Sequence, residues 1–173
     1  MTTIYFVRHG ETHYDLAEQR RLKGGMRDLV PLTDKGREQA LSAAERLRGM
    51  PITRIVTSPM TRAMETAHII AVALGLPMAV EFDLHEWLPD LSHNYDSSRF
   101  AREQSAEMEC LGGEWPTGET RGWEPLSSVR QRVRSSLIKY QGGEPLVVVA
   151  HGTLIYAMTG ERISTGHVIK FEL

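Results

Sequence analysis

Two neighbouring residues near the start of the chain have the side chains that phosphoryl chemistry needs. Arg8 and His9 follow a short β-rich run at 2–7, and Gly10 comes directly after them. Arginine is a planar, permanently charged fork that suits phosphate, and histidine is the side chain that can be a neutral nucleophile near pH 7. The pair therefore indicates a nucleophile beside a cation, and the rest of the chain has to supply its partners.

Three polar residues and one glycine follow the other predicted parallel strands. They are Arg62, Glu86, His151 and Gly152. Strands that run parallel end at the same edge of a sheet, and open α/β sheets bind their ligands at that edge. We therefore expect these residues to converge on Arg8 and His9.

The elements that must position these residues are strands that alternate with helices. Strands are predicted at 2–7, 52–57, 78–82, 146–150 and 168–173. The run Leu146–Ala150 is apolar throughout, which is typical of a buried central strand. The alternation predicts an α/β fold: a three-layer α/β/α sandwich in which a mostly parallel central sheet carries helices on both faces.

Capping signals predict where the first helices begin. Thr33 is the predicted N-cap of a helix, and the charged segment 15–31 before it is predicted to be a loop. Ser58 and Pro59 are the predicted N-cap and first residue of the next helix. This start places Arg62 in the first turn, beside backbone amides that favour anions.

In the second half of the chain, the sequence predicts further helices and an irregular excursion from the sheet at 88–125. Helices are expected near 97–110, along the face marked by Val129, Val133 and Leu137, and at 154–158. The segment 88–125 is too short for a core of its own, so residues 1–173 are predicted to form a single domain with a lid-like excursion. Aromatic residues in or beside the excursion form either a lid with an apolar or sugar-stacking face or simple packing onto the domain. They are Trp87, His93, Tyr95, Trp115 and Trp123.

The composition argues against several classes of protein. The chain has 20 Lys and Arg residues against 22 Asp and Glu residues, and this net charge of −2 is unlike that of a general nucleic-acid binder. No apolar run approaches the roughly 18 residues of a membrane span, so no membrane association is expected. Cys110 is the only cysteine, which excludes an intramolecular disulfide. No signal-peptide pattern is visible, and the expected location is the cytoplasm.

Five short motifs occur in a fixed order along nearly the whole chain. They are Arg8-His9-Gly10-Glu11-Thr12; Pro31-Leu32-Thr33 with Gly36 and Ala40; Ser58-Pro59 with Arg62-Ala63 and Thr66-Ala67; Leu84 with Glu86; and His151-Gly152. Each motif alone is weakly specific, but the ordered set resembles the histidine phosphatase superfamily, branch 1. The resemblance implies the phosphoglycerate mutase-like fold.

The resemblance also implies how phosphate is handled. His9 attacks phosphorus and becomes a phosphohistidine, which divides one difficult displacement into two steps. Arg8, Arg62 and His151 surround the phosphoryl oxygens and stabilise their negative charge. The neighbouring cations are expected to lower the pKa of His9, so that the imidazole is neutral.

Glu86 is the implied general acid, which protonates the leaving alcohol and then activates water. Glu81, Asp83 and Glu119 are alternatives for this role. Gly152 is expected to let the backbone approach the phosphate closely, because it has no side chain. Neither a metal nor another cofactor is expected, since the guanidinium groups and the second histidine neutralise the charge.

Two positions depart from the family pattern and bear on substrate binding. Asp15 stands where many relatives carry an Asn that helps to hold phosphate; a carboxylate there repels phosphate unless it is paired, for example with Arg20 or Arg21. Lys23 lies near a position that often touches substrate and is predicted to bind an anionic group. A basic series on a later helix is instead predicted to form a solvated face, and it comprises Arg130, Arg132, Arg134 and Lys139.

The combination of a short chain, an excursion and an acid at Glu86 favours a phosphatase of small phosphate monoesters. Phosphoryl transfer of the phosphoglycerate mutase type is the first alternative, and a non-catalytic module that binds phosphorylated ligands is the second. The expected partner is a small phosphorylated metabolite. The physiological substrate stays open, as does the choice between monomer and homodimer.

Overall fold

A computed structural model describes residues 1–173. The strands are β1 (Thr3–Arg8), β2 (Arg54–Thr57), β3 (Met78–Val80), β4 (Leu146–Ala150) and β5 (Val168–Glu172). The helices are α1 (Tyr14–Gln19), α2 (Asp34–Leu47), α3 (Thr61–Leu74), α4 (Ser98–Cys110), α5 (Leu126–Leu137) and α6 (Gly152–Thr159). Short 3-10 segments lie at Gly24–Leu29, Phe82–Leu84 and Ile138–Tyr140. No helix combines the length and apolarity that crossing a bilayer requires.

The five strands form one sheet in the order β3-β2-β4-β1-β5. Strands β1 to β4 are parallel to one another, and β5 is antiparallel to its neighbour β1. The ends of β1, β2 and β4 therefore lie side by side at one edge. This confirms the predicted α/β fold with its mostly parallel sheet.

Two apolar cores cover the two faces of the sheet. Because side chains alternate along a strand, Val148 of β4 joins one core while Val147 and Val149 join the other. The first core includes residues of α5 and α6, and the second includes residues of α2 and α3. All five residues of β4 are buried, as its unbroken apolar sequence predicts.

The start of α2 matches its capping signal, but the start of α3 does not. The Thr33 hydroxyl accepts a hydrogen bond from the Gly36 amide at 3.0 Å, as expected of an N-cap. The prediction that Ser58 and Pro59 cap and begin α3 was wrong, because the helix begins at Thr61 with Met60 as its N-cap. The Ser58 hydroxyl is engaged elsewhere, by His151 and by the Met60 amide.

Two further boundaries differ from prediction, in the segment 15–31 and at the end of β3. The segment 15–31 is not a simple loop, since α1 and a 3-10 helix occupy most of it. Strand β3 ends at Val80, because the chain turns into the 3-10 segment Phe82–Leu84. That turn carries Glu86 toward the carboxyl edge of the sheet.

The excursion packs its tryptophans but leaves its helix loosely attached. Trp87 and Trp123 are buried in the core shared with β4, and Trp115 packs against them. Met108 is the only buried residue of α4. Trp115 and Trp123 therefore serve as packing, whereas Trp87, His93 and Tyr95 line the cavity near the carboxyl edge of the sheet.

Candidate active site

His9 follows β1 and is oriented by the backbone beside it. Its side chain is almost fully buried, with the residue 4% exposed. Nδ1 lies 2.7 Å from the Gly10 carbonyl oxygen, and the Thr12 hydroxyl lies 3.3 Å from the same nitrogen. A carbonyl can only accept, so Nδ1 carries the proton of the neutral ring and the lone pair is on Nε2. The lone pair of His9 Nε2 is therefore available to a ligand.

The surroundings of His9 hold the ring neutral. Burial is the main reason that the pKa of His9 lies well below its usual value, and the Arg62 guanidinium is the second. The hydrogen bond to the Gly10 carbonyl opposes this shift, and Arg8 adds to it. Desolvation thus contributes more than the neighbouring cations that the sequence pointed to.

A second buried histidine lies next to the first. The rings of His9 and His151 have centroids 5.1 Å apart. His151 follows β4, and its Nε2 lies 2.7 Å from the Ser58 hydroxyl. Burial, then the charge of Arg62, keeps the pKa of His151 well below its usual value. Both imidazoles are therefore neutral, and the cationic charge of the site comes from arginines.

The two arginines are anchored but keep unsatisfied nitrogen atoms. Arg62 is 3% exposed; it donates to Asp28 at 3.0 Å and lies over the Tyr14 ring. Arg8 donates to the Ile163 carbonyl at 2.7 Å. Three of the five buried side-chain polar atoms that lack a hydrogen-bond partner belong to this site: Arg8 Nε, Arg62 Nε and His151 Nδ1. Buried polar groups are normally paired, so these atoms indicate that the site is built for a polar ligand.

Two glycines, Gly10 and Gly36, let the loop that follows β1 pack directly against α2. A Cβ atom on Gly10 would lie 2.3 Å from the Gly36 carbonyl oxygen, and one on Gly36 would lie 2.2 Å from the Glu11 oxygen. Neither position has room for a side chain. A Cβ atom on Gly152 would lie 3.1 Å from the Arg8 guanidinium carbon, so this glycine makes room for Arg8.

Glu86 is held by backbone amides at the start of α6. Its Oε1 accepts from the Trp87 amide at 2.8 Å and the Leu154 amide at 3.1 Å, and its Oε2 accepts from Thr153 at 3.2 Å. The residue lines the same cavity as Arg62. The three alternative acids, Glu81, Asp83 and Glu119, do not line it.

Arg132 of α5 supports the segment that carries Glu86. Its guanidinium pairs with Glu124 at 2.7 Å and donates to the carbonyls of Asp83, His85 and Glu86. The prediction that Arg132 lies on a solvated face was wrong, because its side chain is 14% exposed. Backbone carbonyls left without partners by the turn after β3 account for its position.

A cavity of about 680 Å³ is lined by Arg62 and Glu86, whereas Arg8, His9 and His151 are not among its lining residues. Asp15 lies on its wall and pairs with neither Arg20 nor Arg21. Lys23 is exposed and does not line the cavity. The structure thus places Asp15, but not Lys23, on the wall of the cavity that Arg62 and Glu86 line.

The sequence did not reveal the residues that contact the histidine and arginine side chains and the Gly10 backbone of the site. Ser58 contacts His151, Asp28 pairs with Arg62, and the Thr66 hydroxyl accepts from the Gly10 amide at 3.0 Å. Ser58 and Thr66 were visible within the motifs, but their partners are far along the chain. Asp28 lay in a segment without periodicity, so no sequence signal linked it to Arg62.

The fold and this cluster of histidines and arginines define an α/β protein with a polar site at the carboxyl edge of its parallel sheet. The family model for the histidine phosphatase superfamily (branch 1) matches residues 4–167. The chain therefore belongs to that superfamily, and its resemblance at the level of motifs is confirmed.

One sequence relative and two solved structures illustrate what this chain is similar to. A probable phosphoglycerate mutase GpmB of Salmonella typhi is 32% identical over 167 residues, which cover 92% of this chain and 76% of that protein. The mycobacterial glucosyl-3-phosphoglycerate phosphatase is 24% identical, with a TM-score of 0.73 over 98% of this chain and 90% of that one. A putative alpha-ribazole-5'-P phosphatase from Escherichia coli is also 24% identical, with a TM-score of 0.67 over 98% and 89% of the two chains. The solved structures show a shared fold.

Proposed function

We propose that this protein is a phosphatase that hydrolyses small phosphate monoesters through a phosphohistidine on His9. The observation that carries the proposal is the orientation of His9. Its Nδ1 is fixed by the Gly10 carbonyl at 2.7 Å, so a neutral ring keeps the Nε2 lone pair available. Unsatisfied nitrogen atoms of Arg8, Arg62 and His151 around it are suited to phosphoryl oxygens.

The first step forms a bond between His9 Nε2 and phosphorus while the bond from phosphorus to the alcohol oxygen breaks. Glu86 in its protonated form gives its proton to that oxygen, and the alcohol leaves. In the second step the Glu86 carboxylate takes a proton from water as the water oxygen attacks phosphorus. The bond to Nε2 breaks, inorganic phosphate leaves, and His9 is neutral again. The guanidinium groups of Arg8 and Arg62 stabilise the charge on the phosphoryl oxygens in both steps.

Mutase activity is the second candidate, because the Salmonella relative is described as a probable phosphoglycerate mutase. A mutase returns the phosphoryl group to another hydroxyl of a phosphoglycerate instead of passing it to water. Turnover of 3-phosphoglycerate that requires bisphosphoglycerate would favour this alternative, and release of inorganic phosphate opposes it.

The test is hydrolysis of an aryl phosphate in the presence of a chelator, with wild-type protein and His9→Ala. Loss of the nucleophile should lower kcat by about 10³-fold or more, as for other covalent nucleophiles. His68→Ala is the matched control, because His68 is an exposed histidine of α3. Wild-type protein quenched during turnover should carry an acid-labile phosphoryl group on His9. Activity that survives His9→Ala, or that requires the metal removed by the chelator, contradicts the mechanism.

A further inference from the structure

Ser58 directly follows β2 and is completely buried. Its hydroxyl oxygen accepts a hydrogen bond from the Met60 amide at 3.2 Å and lies 2.7 Å from His151 Nε2. These two are the only hydrogen-bond partners of the hydroxyl. The direction of the bond between Ser58 and His151 therefore depends on where the hydroxyl proton can go.

The proton of the Ser58 hydroxyl has a single acceptor within reach. A hydroxyl donates one proton and accepts through its oxygen, whereas the Met60 amide can only donate. His151 Nε2 is thus the one group that can take the hydroxyl proton. If Nε2 carried a proton itself, the buried Ser58 proton would have no acceptor, and an unsatisfied buried donor costs free energy. Ser58 therefore donates, and Nε2 accepts through its lone pair.

This assignment puts the proton of His151 on its other ring nitrogen. Burial and the charge of Arg62 hold the pKa of His151 well below its usual value, so the ring has a single proton. With Nε2 as an acceptor, that proton is on Nδ1. Nδ1 is buried and has no hydrogen-bond partner in the protein. A buried N–H group without an acceptor indicates a place for an acceptor atom of a ligand.

The groups around His151 fit a donor at Nδ1. The centroids of the His151 and His9 rings are 5.1 Å apart. The Nε atoms of Arg8 and Arg62 are also buried without partners, and guanidinium nitrogens can only donate. Arg8 lies against the residue that follows His151, since a Cβ atom on Gly152 would be 3.1 Å from its guanidinium carbon. A lone pair on Nδ1 would repel the phosphoryl oxygens that the arginines attract, whereas an N–H group adds a donor.

We propose that Ser58 fixes His151 as the tautomer with its proton on Nδ1, so that Nδ1–H donates to the phosphoryl group that His9 receives. The role toward the phosphoryl group rests on the proposed function, whereas the tautomer does not. Ser58 is a positioning residue, because it acts through His151.

The two buried histidines then have the same tautomer but opposite roles. In His9 the Gly10 carbonyl accepts from Nδ1, which leaves the Nε2 lone pair available for attack. In His151 the Ser58 hydroxyl donates to Nε2, which leaves Nδ1–H available as a donor. One short contact to each ring thus determines whether the ring offers a lone pair or a proton to the phosphoryl group.

Nitrogen-15 NMR of the imidazole rings tests the tautomer directly, because protonated and unprotonated ring nitrogens have well-separated chemical shifts. The His151 signals are those that disappear in His151→Asn. Near pH 7, wild-type protein should show a protonated Nδ1 and an unprotonated Nε2. A proton on Nε2, an equal mixture of tautomers, or protonation of both nitrogens overturns the proposal.

Ser58→Ala removes the group that distinguishes the two nitrogens, so His151 should become a mixture of tautomers. Ser58→Thr keeps a hydroxyl and should restore the wild-type shifts; Ser58→Cys, a weaker donor, replaces it where the added methyl group prevents folding. Ser136→Ala is the matched control, because Ser136 of α5 is buried and its hydroxyl has no partner. The control should keep the wild-type shifts. A wild-type tautomer in Ser58→Ala overturns the proposal.

The role toward the phosphoryl group predicts a kinetic effect that does not depend on the leaving group. Ser58→Ala should lower kcat/KM about 10-fold on alkyl and aryl phosphates alike, the effect of weakening one hydrogen bond to a charged group. Ser136→Ala should leave both values unchanged. A loss confined to alkyl phosphates, or no loss on either ester, overturns the role of Nδ1–H.

Failure of the proposed function is distinguishable from failure of this inference. Absence of His9-dependent hydrolysis of an aryl phosphate overturns the function but not the tautomer. In that case, titration of wild-type protein with inorganic phosphate, followed by NMR of His151 Nδ1–H, tests the donor role without turnover. Phosphate should shift this resonance, and Ser58→Ala should need a higher phosphate concentration for the same change. No shift at the highest phosphate concentration overturns the donor role.

Discussion

His9 and His151 are both buried beside Arg62. Burial and the guanidinium charge disfavour protonation, so both imidazoles are neutral. The ring centroids are 5.1 Å apart, so two imidazolium charges would repel each other as well as the guanidinium. The Gly10 carbonyl and the Ser58 hydroxyl fix how each ring is oriented. The positive charge of the site therefore comes from arginine side chains, and neither histidine has to be protonated.

The lowered pKa of His9 predicts how stability depends on pH. In the unfolded chain its pKa returns to about 6.5, so below that pH the unfolded state binds a proton that the native state excludes. The free energy of unfolding should therefore fall as the pH decreases from 6.5 toward the lowered native pKa. Between pH 6.5 and 5.5 the loss should be about 1 kcal/mol smaller in His9→Gln than in wild-type protein.

Urea unfolding at several pH values measures this difference. His68→Gln is the matched control and should follow the wild-type slope, because His68 is exposed. The same pH slope in His9→Gln and wild-type protein would show that His9 binds its proton equally in both states.

The sequence could predict which candidate site residues lie at strand ends. It could not predict which other residues contact them. Arg8 is the last residue of β1, and His9 and His151 directly follow strands that sequence identifies. Ser58 was predicted as an N-cap, since Ser before Pro is a common helix start, and only the fold brings His151 to its hydroxyl. Arg132 was predicted to be solvated, because the carbonyls that it binds come from a distant turn.

At the scale of elements, α5 supports the segment that carries Glu86 through the side chain of Arg132. Arg132 connects α5 to three successive parts of the segment after β3, and Glu124 fixes its guanidinium in turn. The segment that carries Glu86 has little regular structure of its own. The position of Glu86 thus depends on Arg132 as well as on the amides at the start of α6.

Arg132→Gln should destabilise the protein by about 2–3 kcal/mol, because it leaves Glu124 and the backbone carbonyls with unsatisfied hydrogen bonds. It should also lower kcat on alkyl phosphates more than on aryl phosphates, since good leaving groups depend less on an acid. Urea unfolding and kinetics with both ester types measure these effects.

Arg134→Gln is the matched control on the same helix, because Arg134 is exposed. A structural role of Arg132 alone would lower stability but leave the ratio of alkyl to aryl activity unchanged. Equal behaviour of the two variants would contradict a positioning role for Arg132.

At the scale of the whole molecule, the sheet brings together residues that are 142 positions apart, His9 and His151, because β1 pairs directly with β4. This could be predicted, since apolar runs and strand–helix alternation define a parallel sheet. The exact strand ends, the antiparallel β5 and the helix α1 could not, because local turns and tertiary contacts decide them.

Gly10 links the active-site loop to the body of the protein. Gly10→Ala should destabilise the protein by about 2–3 kcal/mol, since its Cβ atom would overlap backbone that cannot move away easily. Gly25→Ala is the matched control, because no atom lies within 4 Å of a Cβ atom at that position. Urea unfolding should give a change within about 0.5 kcal/mol for the control. A similar loss in both variants would show that the contact with Gly36 is not the cause.

The loose attachment of α4 has a consequence for how such a protein diversifies. The two histidines directly follow strands of the sheet, whereas α4, which lines the cavity, buries only Met108. Substitutions at Ser98, Ala101, Arg102 and Ser105, which line the cavity, therefore leave both apolar cores intact. Under the proposed function, substrate preference can change through one helix face while His9 and His151 stay as they are, and a library confined to these four positions is a compact starting point for redesign.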